Sequence, residues 1–167
     1  MIVRLVGSEM CIRDRSQYGS VDPAPPSENT LVGELTEKLC DESLPMFQRM
    51  RAVFALRNQR TDDACLALCK GFSSKSALLR HEIAYVLGQM QNNVAVPTLI
   101  ERLEDDNEHV MVRHEAAEAM GAIGDRSVIQ TLRKFSHDPL PEVAESCIVA
   151  LDLLAWVDGA EFHDTEC

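Results

Sequence analysis

From Thr30 onward, apolar residues recur at intervals of three and four, and short clusters of Asp, Asn, Ser, Gly and Pro interrupt them. That spacing gathers residues on one face of a helix, whereas a strand would alternate with period two. The pattern predicts eight helices in four pairs, at about 30–41 and 45–58, 62–71 and 76–91, 94–104 and 108–123, and 126–136 and 141–157. The breaking clusters fall between them: Asp41 to Pro45, Asn58 to Asp62, Ser73 to Ser76, Asn92-Asn93, Asp105 to Asn107, Gly124-Asp125 and Asp138 to Pro141.

The second helices of the pairs align without gaps. Arg49-Met50-Arg51-Ala52-Val53 lies over Arg80-His81-Glu82-Ile83-Ala84, then over Arg113-His114-Glu115-Ala116-Ala117, then over Ala144-Glu145-Ser146-Cys147-Ile148. Helix pairs repeating about every 31–33 residues make an all-α fold, an α-α superhelix of HEAT-like repeats in which each unit buries its apolar face against its neighbours. Aromatic residues are only 5% of the chain, which favours such small-residue helix packing over a sheet sandwich.

The four copies disagree at one place. His-Glu stands in the two central repeats, while the first repeat has Met50-Arg51 and the last Glu145-Ser146. A residue required for stacking should recur in every unit, so His81, Glu82, His114 and Glu115 read as additions to the scaffold. Each His is followed seven residues later by glycine, Gly88 and Gly121, on nearly the same helix face. A glycine there bares the backbone and lets something approach closely. Imidazole and carboxylate with open positions form the ligand set of non-haem Fe(II) centres, and no thiolate stands in register to suggest structural zinc. Adjacent His and Glu are about 100° apart around a helix, so one carboxylate of each pair is free to face a cationic substrate group.

Net charge is −11, which argues against a nucleic-acid surface and against adsorption to anionic membrane. The six cysteines form no CxxC pair and fit buried thiols of a reducing compartment, the cytoplasm. The long uncharged run from Ile83 to Ile100 is broken by Gln89, Gln91, Asn92, Asn93 and Pro97, so no membrane span is expected. Residues 1–15 look foreign to the rest and resemble adapter read-through, residues 16–29 read as a Pro-rich linker, 30–157 as the repeat domain, and 158–167 as a disordered acidic tail.

The motifs Ser76-Ala77-Leu78-Leu79-Arg80-His81-Glu82, Tyr85-Val86-Leu87-Gly88-Gln89-Met90-Gln91 and Met111-Val112-Arg113-His114-Glu115 closely resemble the deoxyhypusine hydroxylase family, as do Phe54-Ala55-Leu56-Arg57-Asn58 and Val21-Asp22-Pro23-Ala24-Pro25-Pro26. The resemblance covers about residues 18–157. It implies a HEAT-repeat di-iron monooxygenase that uses dioxygen to hydroxylate the deoxyhypusine side chain of a translation initiation factor, forming hypusine. It implies that His81, His114 and Glu115 ligate one iron, with Glu82 beside the metal site and mainly receiving the substrate amine. Both glutamates are carried as metal-ligand candidates, and no separate catalytic acid or base is assigned. The family has two four-repeat halves joined by a Pro-rich linker, and this chain has the linker and the second half only. A complete enzyme would hold two Fe(II), at most one from this half, so a missing N-terminal HEAT half is the expected partner and the isolated chain is expected to be inactive.

His109 and His137 read as capping or surface residues, and His163 lies in the tail. Arg80 and Arg113 are expected to pair with acids at the solvated surface, and Met111, one turn before His114, to pack in the core or line a substrate slot. Two other classes share the repeat pattern: a non-catalytic protein-binding scaffold, and lyases that attach bilins, which lack registered His-Glu pairs. Both should purify without stoichiometric iron.

Overall fold

The computed structural model describes residues 22–157 and Gly159; the foreign-looking N-terminus, most of the linker's first half, His163 and the acidic tail lie outside them. Eight α-helices follow in order: α1 (Val32–Cys40), α2 (Met46–Gln59), α3 (Asp62–Lys70), α4 (Ala77–Met90), α5 (Val96–Glu104), α6 (Val110–Ile123), α7 (Ile129–Phe135) and α8 (Pro141–Val157). Short 3-10 turns lead into α5 and α7 and follow α3, and no strand occurs among the described residues. The second helices α2, α4, α6 and α8 stack side by side, and each packs on the first helix of its own pair. One continuous core runs through the stack, from Leu35 and Phe54 through Leu79, Ile83 and Met120 to Leu132 and Val143.

The polar clusters between helices make turns of a common kind. Side-chain oxygens of Asp41, Asn92, Asp105, Asp125 and Asp138 each accept from the backbone N–H two residues on, at 2.8–3.0 Å. Thr61 and Ser76 cap α3 and α4, accepting from Ala64 N–H and Leu79 N–H. His109 Nδ1 caps α6 in the same way, accepting from Met111 N–H, and His137 is exposed at the end of α7.

Arg80 and Arg113 do pair with acids, but Arg113 does so in the interior and Arg80 half-buried, neither at the solvated surface. Arg113 is 3% exposed; its Nε donates to the Leu103 carbonyl and its Nη2 meets buried Asp138 at 2.6 Å. Arg49 repeats the first contact, donating from Nε to the Leu39 carbonyl, and adds Glu42 and Ser74. Arg80 forks onto Glu108, whose side chain is 3% exposed, and donates to the Ser74 carbonyl. At equivalent positions, then, three arginines satisfy carbonyls left over at helix ends and tie their helices to neighbouring turns.

The glycines serve this stacking. A Cβ on Gly88 would stand 3.0 Å from Ala119 Cα, and one on Gly121 would stand 2.8 Å from Ala150 Cα. What approaches each bare backbone is therefore the next helix, α6 on α4 and α8 on α6.

The Pro-rich stretch from Asp22 to Ser27 is held against the first repeat. Asp22 receives both Arg57 amino groups at 2.8 and 2.9 Å, the Pro25 and Pro26 carbonyls accept from Arg51, and Ser27 N–H donates to the Arg51 carbonyl. Ala24 is 1% exposed. Polyproline-like backbone leaves its carbonyls free, and the Arg51 guanidinium takes two of them.

Candidate metal centre

The gapless alignment of the second helices means that residues one repeat apart meet side by side. His81 leaves the first turns of α4 and His114 those of α6; both are half-buried, and their ring centroids lie 5.7 Å apart. Glu115, 8% exposed, reaches from α6 toward α4, so that its Oε2 lies 3.2 Å from His81 Nε2. One ligand atom from each of His81, His114 and Glu115 falls within 4.8 Å of the other two. Ligands on one ion with bonds of about 2.1 Å stand about 3–3.4 Å apart, a separation that small side-chain rotations reach from here.

The donor set fits a borderline or hard divalent cation: two imidazoles, one carboxylate and no thiolate. The Glu115 carboxylate favours a positive charge beside it. The hydrogen bond to Glu115 is the main reason that the His81 imidazole is pushed above its ordinary value, with burial opposing. His81 also buries Nδ1 without a hydrogen-bond partner. A proton on His81 offsets the Glu115 carboxylate where a metal would do the same.

Glu82 takes a different position. It is not among the three residues that converge, although it is 9% exposed and adjacent in sequence to His81. Burial pushes its carboxyl above the usual range; His81 and Arg57 oppose this, and Asp22 and Glu115 add to it. A buried carboxyl next to the cluster, without an ion pair of its own among the described residues, is suited to meet a cation from outside the chain.

Glu118 is a residue that the sequence reading passed over. It lies one turn beyond His114, its Oε1 is 3.6 Å from His114 Nδ1, and it accepts from Ser146 Oγ of α8 at 2.8 Å. A carboxylate behind a ligating imidazole orients the ring. The His-x-x-x-Glu spacing was the available signal. It has no counterpart in the preceding repeat, where Tyr85 stands at that position.

The site opens on two concavities that share Glu118 and Val149. One, of about 710 Å³, is lined by Arg57, Tyr85, Gly88, Glu115 and Leu153 among others. The other, of about 420 Å³, is lined by Met111, His114, Glu142 and Glu145. Met111 is 43% exposed, so it lines the groove and does not pack in the core. Among the described residues no helix is long and apolar enough to cross a membrane.

Comparison with known proteins agrees with this architecture. A model of HEAT repeats matches residues 34–111 and 95–152. The chain is 50% identical over 150 residues to deoxyhypusine hydroxylase of Danio rerio, covering 90% of this chain and 49% of that protein. It is 51% identical over 146 residues to the Homo sapiens protein of the same name and 48% identical over 156 residues to that of Candida albicans, covering 87% and 91% of this chain and 48% and 49% of theirs. The solved structure of human deoxyhypusine hydroxylase in complex with glycerol superposes with a TM-score of 0.80 at 51% identity, over 84% of this chain and 49% of that one. The chain thus spans about half the length of each of these relatives. On the match across its repeats it belongs to the HEAT-repeat family, and the relatives it resembles along most of its length are deoxyhypusine hydroxylases.

Proposed function

We propose that this chain is one half, by its motifs the C-terminal half, of an iron-dependent deoxyhypusine hydroxylase acting in the cytoplasm on a translation initiation factor. The observation that carries the reading is the convergence of His81, His114 and Glu115 from two registered repeats in a chain about 50% identical to enzymes of that name. In this reading His81, His114 and Glu115 hold one Fe(II), and Glu82 lies beside it. When bound, iron supplies the activation of dioxygen that hydroxylation of an unactivated carbon requires.

The chain's own residues bind, orient and exclude. Glu82, buried next to the cluster, receives the protonated amine of the substrate side chain, and that cation compensates a carboxylate which burial otherwise disfavours. Met111 and Val149 line the approach with apolar surface for the methylene chain. Glu118, held by Ser146, places its charge 3.6 Å from His114 Nδ1 and biases the orientation of that ring. Gly88 lets α6 settle against α4 closely enough for the His81 and His114 side chains to share one ion.

Two His and two Glu cannot build a pair of metal sites, so a matching N-terminal half is the proposed partner. A hypusine-formation assay tests this with the chain alone, with that half alone, and with both. Turnover is expected only in the mixture, to be lost with His114→Ala and kept with His137→Ala. Robust turnover by this chain alone would overturn the two-half reading.

A further inference from the structure

The stretch from Asp22 to Ser27 engages two arginines of α2, the helix that packs beside α4. Arg51 stands at the repeat position of Glu82, and the Pro25 and Pro26 carbonyls take its guanidinium. Arg57 reaches across to α4, donating to Gln89 Oε1 at 3.2 Å, and lines the concavity that Glu115 also lines. Asp22 grips Arg57 with both carboxylate oxygens, at 2.8 and 2.9 Å, and the two side chains are only 16% and 19% exposed. Such a fork fixes the position of a guanidinium as well as balancing its charge.

The carboxylates of this neighbourhood are not alike. Glu115 is engaged by His81, and Glu118 by Ser146 and His114, whereas Glu82 has no ion pair among the described residues. The cations that act on Glu82 are His81 and Arg57, and Asp22 acts on it in the opposite sense. The other acceptors of Arg57, Gln89 and Asn58, are neutral amide oxygens. A largely buried arginine that loses its carboxylate is left with a costly unpaired charge and is drawn to another. Glu82 is the carboxylate at hand with no ion pair to give up.

We propose that Asp22 is a positioning residue of the site: by holding Arg57 it keeps that guanidinium off Glu82 and leaves Glu82 open to the amine of the substrate. The proposal rests on the reading of Glu82 as the amine acceptor. It makes the proline-rich stretch a part of the site and not only a spacer.

The test titrates the metal-free full chain with 1,4-diaminobutane, a protonated amine on a methylene chain, followed by NMR. If Arg57 occupies Glu82 for about nine-tenths of the time in Asp22→Asn, the apparent affinity falls about tenfold. That loss is expected in Asp22→Asn, and Asp22→Asn combined with Arg57→Gln is expected to recover the native affinity, which a merely structural role of Asp22 would not allow. A crystal structure of Asp22→Asn should place the Arg57 guanidinium within about 4 Å of the Glu82 carboxylate. Diamine binding that is absent from the native chain, or indifferent to Glu82→Gln, would end the amine reading and this proposal with it. Binding that needs Glu82 but is unchanged in Asp22→Asn, or that the double variant fails to recover, would overturn this proposal alone, as would an Arg57 standing clear of Glu82 in that crystal structure.

Discussion

His81 Nε2 lies 3.2 Å from Glu115 Oε2, a contact between helices one repeat apart made by two residues that the flanking repeats lack. It joins α4 to α6 at the place where a cation would sit, and several consequences follow from its charge.

Without metal, the pair makes stability depend on pH in a definite direction. Glu115 raises the folded-state value of His81 above its ordinary 6.5. A raised imidazole contributes stability that is fully present below the unfolded value and lost as pH rises through the folded one. Glu82, raised by burial, acts in the same sense from 4.5 upward. Metal-free chain is expected to lose stability between pH 6 and pH 8, and Glu115→Gln to lose less over the same interval. Thermal melts of both proteins at the two pH values check this; equal losses would remove His81–Glu115 from the account.

The glycines should tolerate no side chain. Alanine is a better helix former than glycine by about 1 kcal/mol, so an unpacked site would gain from the exchange. Gly121→Ala instead brings a methyl to 2.8 Å of Ala150 Cα, a backbone atom, and is expected to cost a net of about 1–3 kcal/mol. Gly88→Ala, with Ala119 Cα at 3.0 Å, should cost less stability but also push α4 from α6 and weaken metal binding. Urea denaturation reads the first effect and metal titration the second.

Breaking the arginine ties should be more costly than breaking a surface pair. Arg113→Ala strands Asp138, whose side chain is 4% exposed, and leaves the Leu103 carbonyl without its donor. Removal of one partner from such a buried pair is expected to cost about 3–5 kcal/mol, against at most about 1 kcal/mol for Lys134→Ala at the exposed Lys134–Glu104 contact. Chemical denaturation of the two variants separates these values.

Helix existence was legible because the 3.6-residue period is sustained and the Asp and Asn turns punctuate it; the helix ends differ from expectation by at most a few residues. The pairing of His81 with His114 was legible from their register. Burial of Arg113 and partial burial of Arg80 were not, because a charged residue reads as solvated unless the carbonyls awaiting it are known. The role of Gly88 and Gly121 needed the neighbouring helix, whose closeness depends on Ala119 and Ala150 in later repeats. Glu82 and Glu115 occupy equivalent sequence positions yet differ in space, since only Glu115 has a histidine one repeat before it to reach. The docking of Asp22 to Ser27 depends on Arg51 and Arg57, a long-range partnership that the proline run does not announce.

If two repeats together build one metal site, His81 and His114 must both be needed to hold the ion. Anaerobic titration of the chain with Fe(II), followed by calorimetry alongside circular dichroism, measures this. One Fe(II) or fewer per chain is expected to bind, with binding lost in His81→Ala and His114→Ala at unchanged helicity and kept in His137→Ala. Failure of the chain to bind Fe(II), or binding indifferent to both His81 and His114, would contradict it.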